Sequence, residues 1–207
     1  MSTALRISLS EQQRLGPRDH GQELSFEEFV DRKYENGFKY ELIEGRLYVS
    51  PQPNFPHDWV QSHVYELLSQ YKLQHRQIVK RLSANARVFV PGRKKTTCPE
   101  PDFAIYRECP PGRNVKWHEI SPLIVVEIVS ASDSAKDYVR NVELYRQVPS
   151  ILEYWLFDRC DEDDGPLLKV YRRETGDADW TILEFLANDV YETSLLPGFA
   201  LPVTPLY

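Results

Sequence analysis

The stretch that decides the fold is Pro122-Leu-Ile-Val-Val-Glu-Ile-Val129. Its brevity and its β-branched residues mark a strand covered on both faces at the centre of a sheet. Glu127 interrupts the run with a carboxylate. A buried carboxylate without partners is costly enough that it protonates, pairs or binds a metal. A second acid, Asp102, stands in Pro101-Asp-Phe-Ala-Ile-Tyr106, another short strand candidate. Two acids on adjacent strands form an oxygen-donor pair suited to a hard divalent cation such as Mg²⁺. The competing reading is structural. Ionic networks also shelter strand carboxylates, and Asp102 alone fits a strand-start residue satisfied by turn amides.

Working outward, Ser25-Phe-Glu-Glu28 has the form of a capping box and opens a short helix. Tyr40-Glu-Leu-Ile43 and Arg46-Leu-Tyr-Val49 flank Glu44-Gly45 and read as a β-hairpin. From Pro56, apolar Val60, Val64, Leu67, Leu68 and Tyr71 recur at helical spacing, which predicts a helix of about four turns. Ala86-Arg-Val-Phe-Val90 reads as a strand, followed by a loop with the basic tip Arg93-Lys94-Lys95. After the Glu127 strand, Ser134-Ala-Lys-Asp137 is a second capping box, with a buried helical stripe of Val142, Leu144, Tyr145 and Val148. Leu152 to Phe157 is the next strand. Leu167 to Tyr171 and Trp180 to Phe185, around the acidic turn 161–164, extend the sheet in antiparallel fashion. Tyr145, Tyr154 and Trp155 are read as core.

Residues 1–22 give no period and are expected to form a loosely ordered arm, leaving 23–207 as a single domain. Of the 207 residues, 42% are hydrophobic and 27% charged, which excludes wholesale disorder. A net charge of −6 argues against a non-specific cationic coat for nucleic acid but leaves room for a local basic groove. Arg93, Lys94 and Lys95, with Lys80, Arg81 and Arg87, are candidates to track a phosphate backbone, or are simply an exposed basic loop. Cys98, Cys109 and Cys160 have neither disulfide-framework nor CxxC spacing and are read as free thiols. With no export-type leader and no membrane-length apolar run, a cytoplasmic protein with no membrane attachment is expected.

The ordered motifs resemble a known family. Pro101-Asp102 followed by Val126-Glu127-Ile-Val-Ser130 resembles the PD-(D/E)XK nuclease superfamily. More closely, the chain resembles the large bacterial family of restriction-endonuclease-like proteins first catalogued as a domain of unknown function. Phe26-Glu-Glu-Phe29, Tyr40-Glu-Leu-Ile-Glu-Gly45, Pro56-His57, Asp137 with Tyr145, and Glu153-Tyr-Trp-Leu-Phe-Asp158 complete the set, spanning residues 25 to 175. The resemblance implies an α/β fold, a restriction-endonuclease-like mixed β-sheet flanked by helices, here with an added antiparallel β extension.

For function, the resemblance implies an endonuclease that cleaves DNA with Mg²⁺, Mn²⁺ being an alternative. Asp102, Glu127 and the Ile128 backbone carbonyl would hold the metal. The family adds an acid from the first hairpin, with Glu41 preferred over the turn residue Glu44. His57 opens a helix whose N-terminus favours anions, so it either meets a phosphate or serves as a cap. A homodimer would supply two active sites for cutting both strands.

The chain departs from the pattern at its basic residue. Val129 stands where the superfamily places lysine, and Asn141 stands where this family relocates it, one turn after Asp137. An amide can hydrogen-bond water or phosphate but carries no charge. Lys136 and Arg140 are near in sequence but, on a regular helix, off the face of Asp137 and Asn141. Asn141 or a basic neighbour then has to position water or phosphate. The second hypothesis is a nuclease-like module that binds nucleic acid or assembles without cutting. A third is hydrolysis of RNA or another phosphodiester.

Overall fold

The computed structural model describes residues 14–112, 114–129, 135–158, 165–175 and 179–204. The central sheet has six strands: β3 (Arg81–Ala84), β4 (Phe103–Tyr106), β5 (Ile124–Ile128), β6 (Glu153–Phe157), β7 (Leu168–Arg172) and β8 (Thr181–Phe185). They lie in that order, with β5 and β6 parallel and the other neighbours antiparallel. This is the expected mixed sheet, and β7 and β8 are its antiparallel extension.

Strand β5 is buried along its whole length because helices cover both faces. Ile124, Val126 and Ile128 pack with Val60, Val64 and Leu68 of α2 (Phe55–Gln74). Val125 and Val129 pack with Leu144, Tyr145 and Val148 around α3 (Asn141–Arg146). Strand alternation therefore sends Glu127 toward α3. In β4, Phe103 and Ile105 pack with the α2 cluster, while Ala104 and Tyr106 pack with the α3 cluster. Asp102 falls on the α3 side by the same period. Extending the register Phe103↔Val126 by one residue sets Asp102 opposite Glu127.

The hairpin forms a separate two-stranded sheet of β1 (Phe38–Ile43) and β2 (Arg46–Pro51). Both turn residues, Glu44 and Gly45, have positive φ (49° and 74°), the condition for a tight I′ hairpin turn. Tyr40 and Leu42 enter a third apolar cluster with Leu24, Phe29 and Leu47. Lys39 and Glu41, on alternate positions, are left facing the central sheet. Helix α1 (Phe26–Asp31) begins at Ser25, whose hydroxyl accepts from the Glu28 amide while Glu28 returns a bond to the Ser25 amide. Helix α2 is longer than its apolar spacing indicated, with 20 residues capped by Asn54.

Several expectations need correction. Residues 86–90 form no regular strand, although Ala86, Val88 and Val90 are buried in alternation. Asn85 turns the chain out of β3 at φ 57°, and the facing segment contains Pro99 and Pro101, which cannot donate to a ladder. Only Val88 and Val90 bond across, to Pro99 and Thr97 carbonyls. The expected loose arm is tied down from Leu15 onward. Leu15 is buried, exchanges backbone bonds with Lys33 and Glu35, and is followed by Gly21 and Gln22 bonded to Leu47. Residues 1–13 lie outside the described residues, as do Ser134 of the second capping box, Cys160 and the acidic turn 161–164.

A second two-stranded sheet, β9 (Val190–Glu192) with β10 (Ala200–Pro202), escaped the sequence reading because each strand has only three residues. The core assignments of Tyr145, Tyr154 and Trp155 agree with their complete burial. Cys98 and Cys109 are free thiols. No helix among the described residues is long and apolar enough to cross a membrane.

Candidate active site

The two strand acids meet directly. The Asp102 amide donates to Glu127 Oε2 at 3.2 Å, and the Ile128 amide donates to Asp102 Oδ2 at 2.8 Å. Both residues are 2% exposed. They lie at the floor of a cleft of about 360 Å³ that Glu41, Lys39, His57, Ile128, Lys136, Asp137 and Arg140 also line. Strands β1, β4 and β5 and the segment entering α3 thus converge on one point, bringing Glu41, Asp102, Glu127 and Ile128 together. Glu44 is exposed and paired with Arg93 on the hairpin turn, so the hairpin acid inside the cleft is Glu41.

Each carboxylate has a different electrostatic setting. Lys39 Nζ donates to Asp102 Oδ1, and His57 Nε2 is 3.2 Å from Asp102 Oδ2. Burial works against the Asp102 charge, but Lys39 and His57 outweigh it and hold its carboxyl well below the usual range. For Glu41, burial is likewise outweighed, by Lys136 at 3.5 Å and by Arg140, which donates to both oxygens at 2.9 and 2.8 Å.

Glu127 accepts from Asn141 Nδ2 and Tyr145 OH, each at 2.9 Å on Oε1. These donors and Lys136 favour its charge. Burial, reinforced by Asp102 and Asp137, prevails and raises its pKa to about 8. Burial raises Asp137 in the same way, to about 7. Neighbouring acids pushed apart in pKa are a recurrent property of sites that bind cations or move protons.

The segment before α3 explains how the cations arrive. Lys136–Arg140 is a π-helical turn, closed by the Asn141 amide bonding the Lys136 carbonyl. Such wide turns are rare and concentrate at functional sites. The expectation that Lys136 and Arg140 point away from the face of Asp137 and Asn141 is therefore corrected. Both reach the cleft and Glu41, because the widened turn changes the angular offset between successive side chains. Asn141, fully buried, bridges Glu127 and Asp137 through Nδ2 (2.9 and 3.2 Å) and takes Arg140 Nε on its Oδ1 at 3.1 Å.

The basic loop is mostly committed elsewhere. Arg93 pairs with Glu44 and Lys95 with Glu23, while Arg87 and Arg81 lie over aromatic rings. Glu153 is an instructive contrast, because it too is buried in the central sheet. Trp155, Arg172, Tyr191 and Thr193 all donate to its carboxylate, and it does not line the cleft that holds Asp102 and Glu127. Burial of a strand carboxylate does not by itself make a site. Glu127 differs in lining that cleft beside two further acids, Asp102 and Asp137.

The donor set fits a hard cation. A carboxylate offers roughly four acceptor directions. Among the described residues, Asp102 Oδ1 accepts only from Lys39, and Glu127 Oε2 only from the Asp102 amide, so one direction remains on each. No group of three or more His, Cys, Asp or Glu side chains among the described residues has metal-holding geometry. Mg²⁺ characteristically uses one or two carboxylates and keeps several waters.

The match to known proteins is now decisive. Residues 26–204 match Uma2, described as "Putative restriction endonuclease". The chain belongs to the Uma2 family. A solved structure with a similar fold is that of a "putative nuclease belonging to DUF820" from Anabaena variabilis ATCC 29413. It is 19% identical, covers 88% of this chain and 97% of its own, and has a TM-score of 0.65. No protein of curated function matches the sequence.

Family motifs led to Glu41, Asp102, Glu127 and Asn141. Sequence reasoning missed Lys39, and it saw Tyr145 only as core. Lys39 directly precedes the hairpin motif, on the same strand face as Glu41, and that alternation was the signal that could have found it.

Proposed function

We propose that this Uma2-family protein is a Mg²⁺-dependent endonuclease acting on DNA, with Mn²⁺ able to replace Mg²⁺. The observation that carries the reading is the reciprocal pairing of Asp102 and Glu127 at the floor of an open, charged cleft. Asp102, Glu127 and the Ile128 carbonyl would hold the ion. When bound, it would polarise a phosphoryl oxygen and acidify a coordinated water. Glu41 orients Arg140 within the cleft through its two hydrogen bonds. Asn141 and Tyr145 fix the Glu127 carboxylate, leaving Oε2 directed toward Asp102. His57 anchors the other side of Asp102.

Calorimetric titration of Mg²⁺ and Mn²⁺ into wild type and an Asp102→Asn/Glu127→Gln variant, followed by plasmid nicking with the same samples, tests the reading. Saturable binding and nicking, both lost in the variant, are expected. A folded wild type that neither binds the ions nor nicks DNA overturns it. Matched RNA and DNA duplexes decide the substrate, and sedimentation with and without DNA decides whether a homodimer forms.

A second reading has its own support. Asn141 spends its amide on Glu127 and Asp137, so it brings no positive charge to the cleft. A nuclease-like module that binds nucleic acid without cutting would have this composition. Asn141→Lys separates the two, since activity created or raised about tenfold or more by that change identifies a weakened enzyme. DNA binding with no gain of cleavage favours the binding module.

A further inference from the structure

We propose that Lys136 contacts the scissile phosphate and supplies the positive charge that Asn141 does not. This rests on the nuclease reading above but concerns a residue outside the family's motif. Three side chains bring full positive charge to the cleft among the described residues: Lys39, Lys136 and Arg140. Lys39 is bonded to Asp102 and only 7% exposed. Arg140 is committed to both oxygens of Glu41 and to Asn141. Lys136 has the loosest of these pairings, with Nζ 3.5 Å from Glu41 Oε2; its side chain is 17% exposed against 26% for Arg140, but it has no two-point pairing to break. An ammonium on a four-carbon stem can swing from such a contact to a phosphate oxygen without breaking a bidentate pair.

The local backbone gives the placement a cause. The π-helical turn begins at Lys136, and its closing bond ties the Lys136 carbonyl to the amide of Asn141, the position where the family lysine would stand. The turn thus couples the two positions through one hydrogen bond and directs Lys136 into the cleft. Burial disfavours the ammonium, but Glu41, Glu127 and Asp137 more than offset this and keep it charged. Lys136 lines the same cleft as Asp102 and Glu127, so a phosphate entering that cleft would meet its charge.

The test uses Lys136→Met, Lys136→Arg and Lys136→Met/Asn141→Lys in the full chain. Single-turnover cleavage of end-labelled duplex DNA in Mg²⁺ is read alongside metal-free DNA binding by fluorescence anisotropy over a salt series. Folding is checked by thermal melting. Lys136→Met is expected to slow the cleavage step by about 10²–10³-fold, with half-saturation changed much less. It should also flatten the slope of log affinity against log salt by about 0.9, the share of one phosphate contact. Lys136→Arg should keep the wild-type slope, and Asn141→Lys in the Met background should recover at least ~10-fold of the lost rate.

Wild-type cleavage and an unchanged salt slope in Lys136→Met overturn the proposal, and if Glu127→Gln still abolishes cleavage the nuclease reading stands. Conversely, a wild type that never cleaves, but whose salt slope falls in Lys136→Met and is kept in Lys136→Arg, retains the phosphate contact and removes the nuclease reading. A folded wild type with no salt-dependent DNA binding overturns both.

Discussion

Asp102 and Glu127 hold each other through the backbone: the amide of Asp102 donates to Glu127 Oε2, and the amide just after Glu127 donates to Asp102 Oδ2. Antiparallel register sets the two residues opposite one another where β4 begins, and their side chains take up the amides that an extended ladder would otherwise use. The arrangement fixes the positions of both buried carboxylates. Burial and the neighbouring Asp102 and Asp137 charges push Glu127 up, while Lys39 and His57 hold Asp102 low.

Lys39 and Asp102 should prove unequal partners when separated. Asp102→Ala leaves the Lys39 ammonium buried without its main counter-charge and is expected to destabilise the fold by about 3–5 kcal/mol. Lys39→Met/Asp102→Ala should recover most of that, because both charges are gone. Urea melts of the single and double variants measure the coupling, and equal losses in both would show that the ion pair is not what supports the cleft floor.

Metal-free stability should fall as the pH rises toward 9. The folded-state pKa of Glu127, about 8, lies above its ordinary value of 4.5, and Asp137, at about 7, lies above 3.8. Raised acids contribute stability that is fully present below their unfolded values and is lost as pH climbs through the folded ones. For Glu127 the window runs from 4.5 to 8, and the loss is on the order of a few kcal/mol. Glu127→Gln removes the Glu127 share of that dependence, leaving that of Asp137, and should be more stable than wild type at pH 9 in chelator. Parallel melting curves across pH for the two proteins would contradict this.

Tyr145→Phe isolates one donor. The ring stays in the core, but Glu127 Oε1 keeps only Asn141. The loss should be about 1.5–3 kcal/mol where Glu127 is ionised and smaller where it is protonated. Melting at pH 9 should therefore separate the variant from wild type further than melting at pH 6. A pH-independent difference would mean that the hydroxyl matters for packing alone.

Divalent-ion binding should release protons. A cation between Asp102 and Glu127 requires Glu127 to ionise, so calorimetry at pH 7 in buffers of different ionisation enthalpy should show approximately one proton leaving per ion. Affinity should tighten from pH 6 to pH 9, with a shallower dependence in Asp137→Asn. Buffer-independent enthalpies would place the ion away from Glu127.

The sequence by itself determined the strand that carries Glu127, the strand that Asp102 precedes, the hairpin with Glu41 and the helix that presents Asn141. These are short-range features. Alternation in a strand, the spacing of apolar residues in a helix and two turn residues at Glu44-Gly45 act over a few positions and can be read one segment at a time. The same local logic failed at residues 86–90, where prolines on the facing segment, not the strand's own residues, prevent a ladder.

Only the tertiary structure decided the charges of the site. Lys39 reaches Asp102 across 63 positions and Arg140 reaches Glu41 across 99. Whether a buried acid is ionised depends on partners that close packing brings within a few ångströms. The π-helical turn was equally hidden, because a one-residue widening leaves composition unchanged while redirecting Lys136 and Arg140. The two carboxylates were legible because each had to be where its strand placed it. Their partners were not, because electrostatic contacts form between elements that sequence order does not bring together.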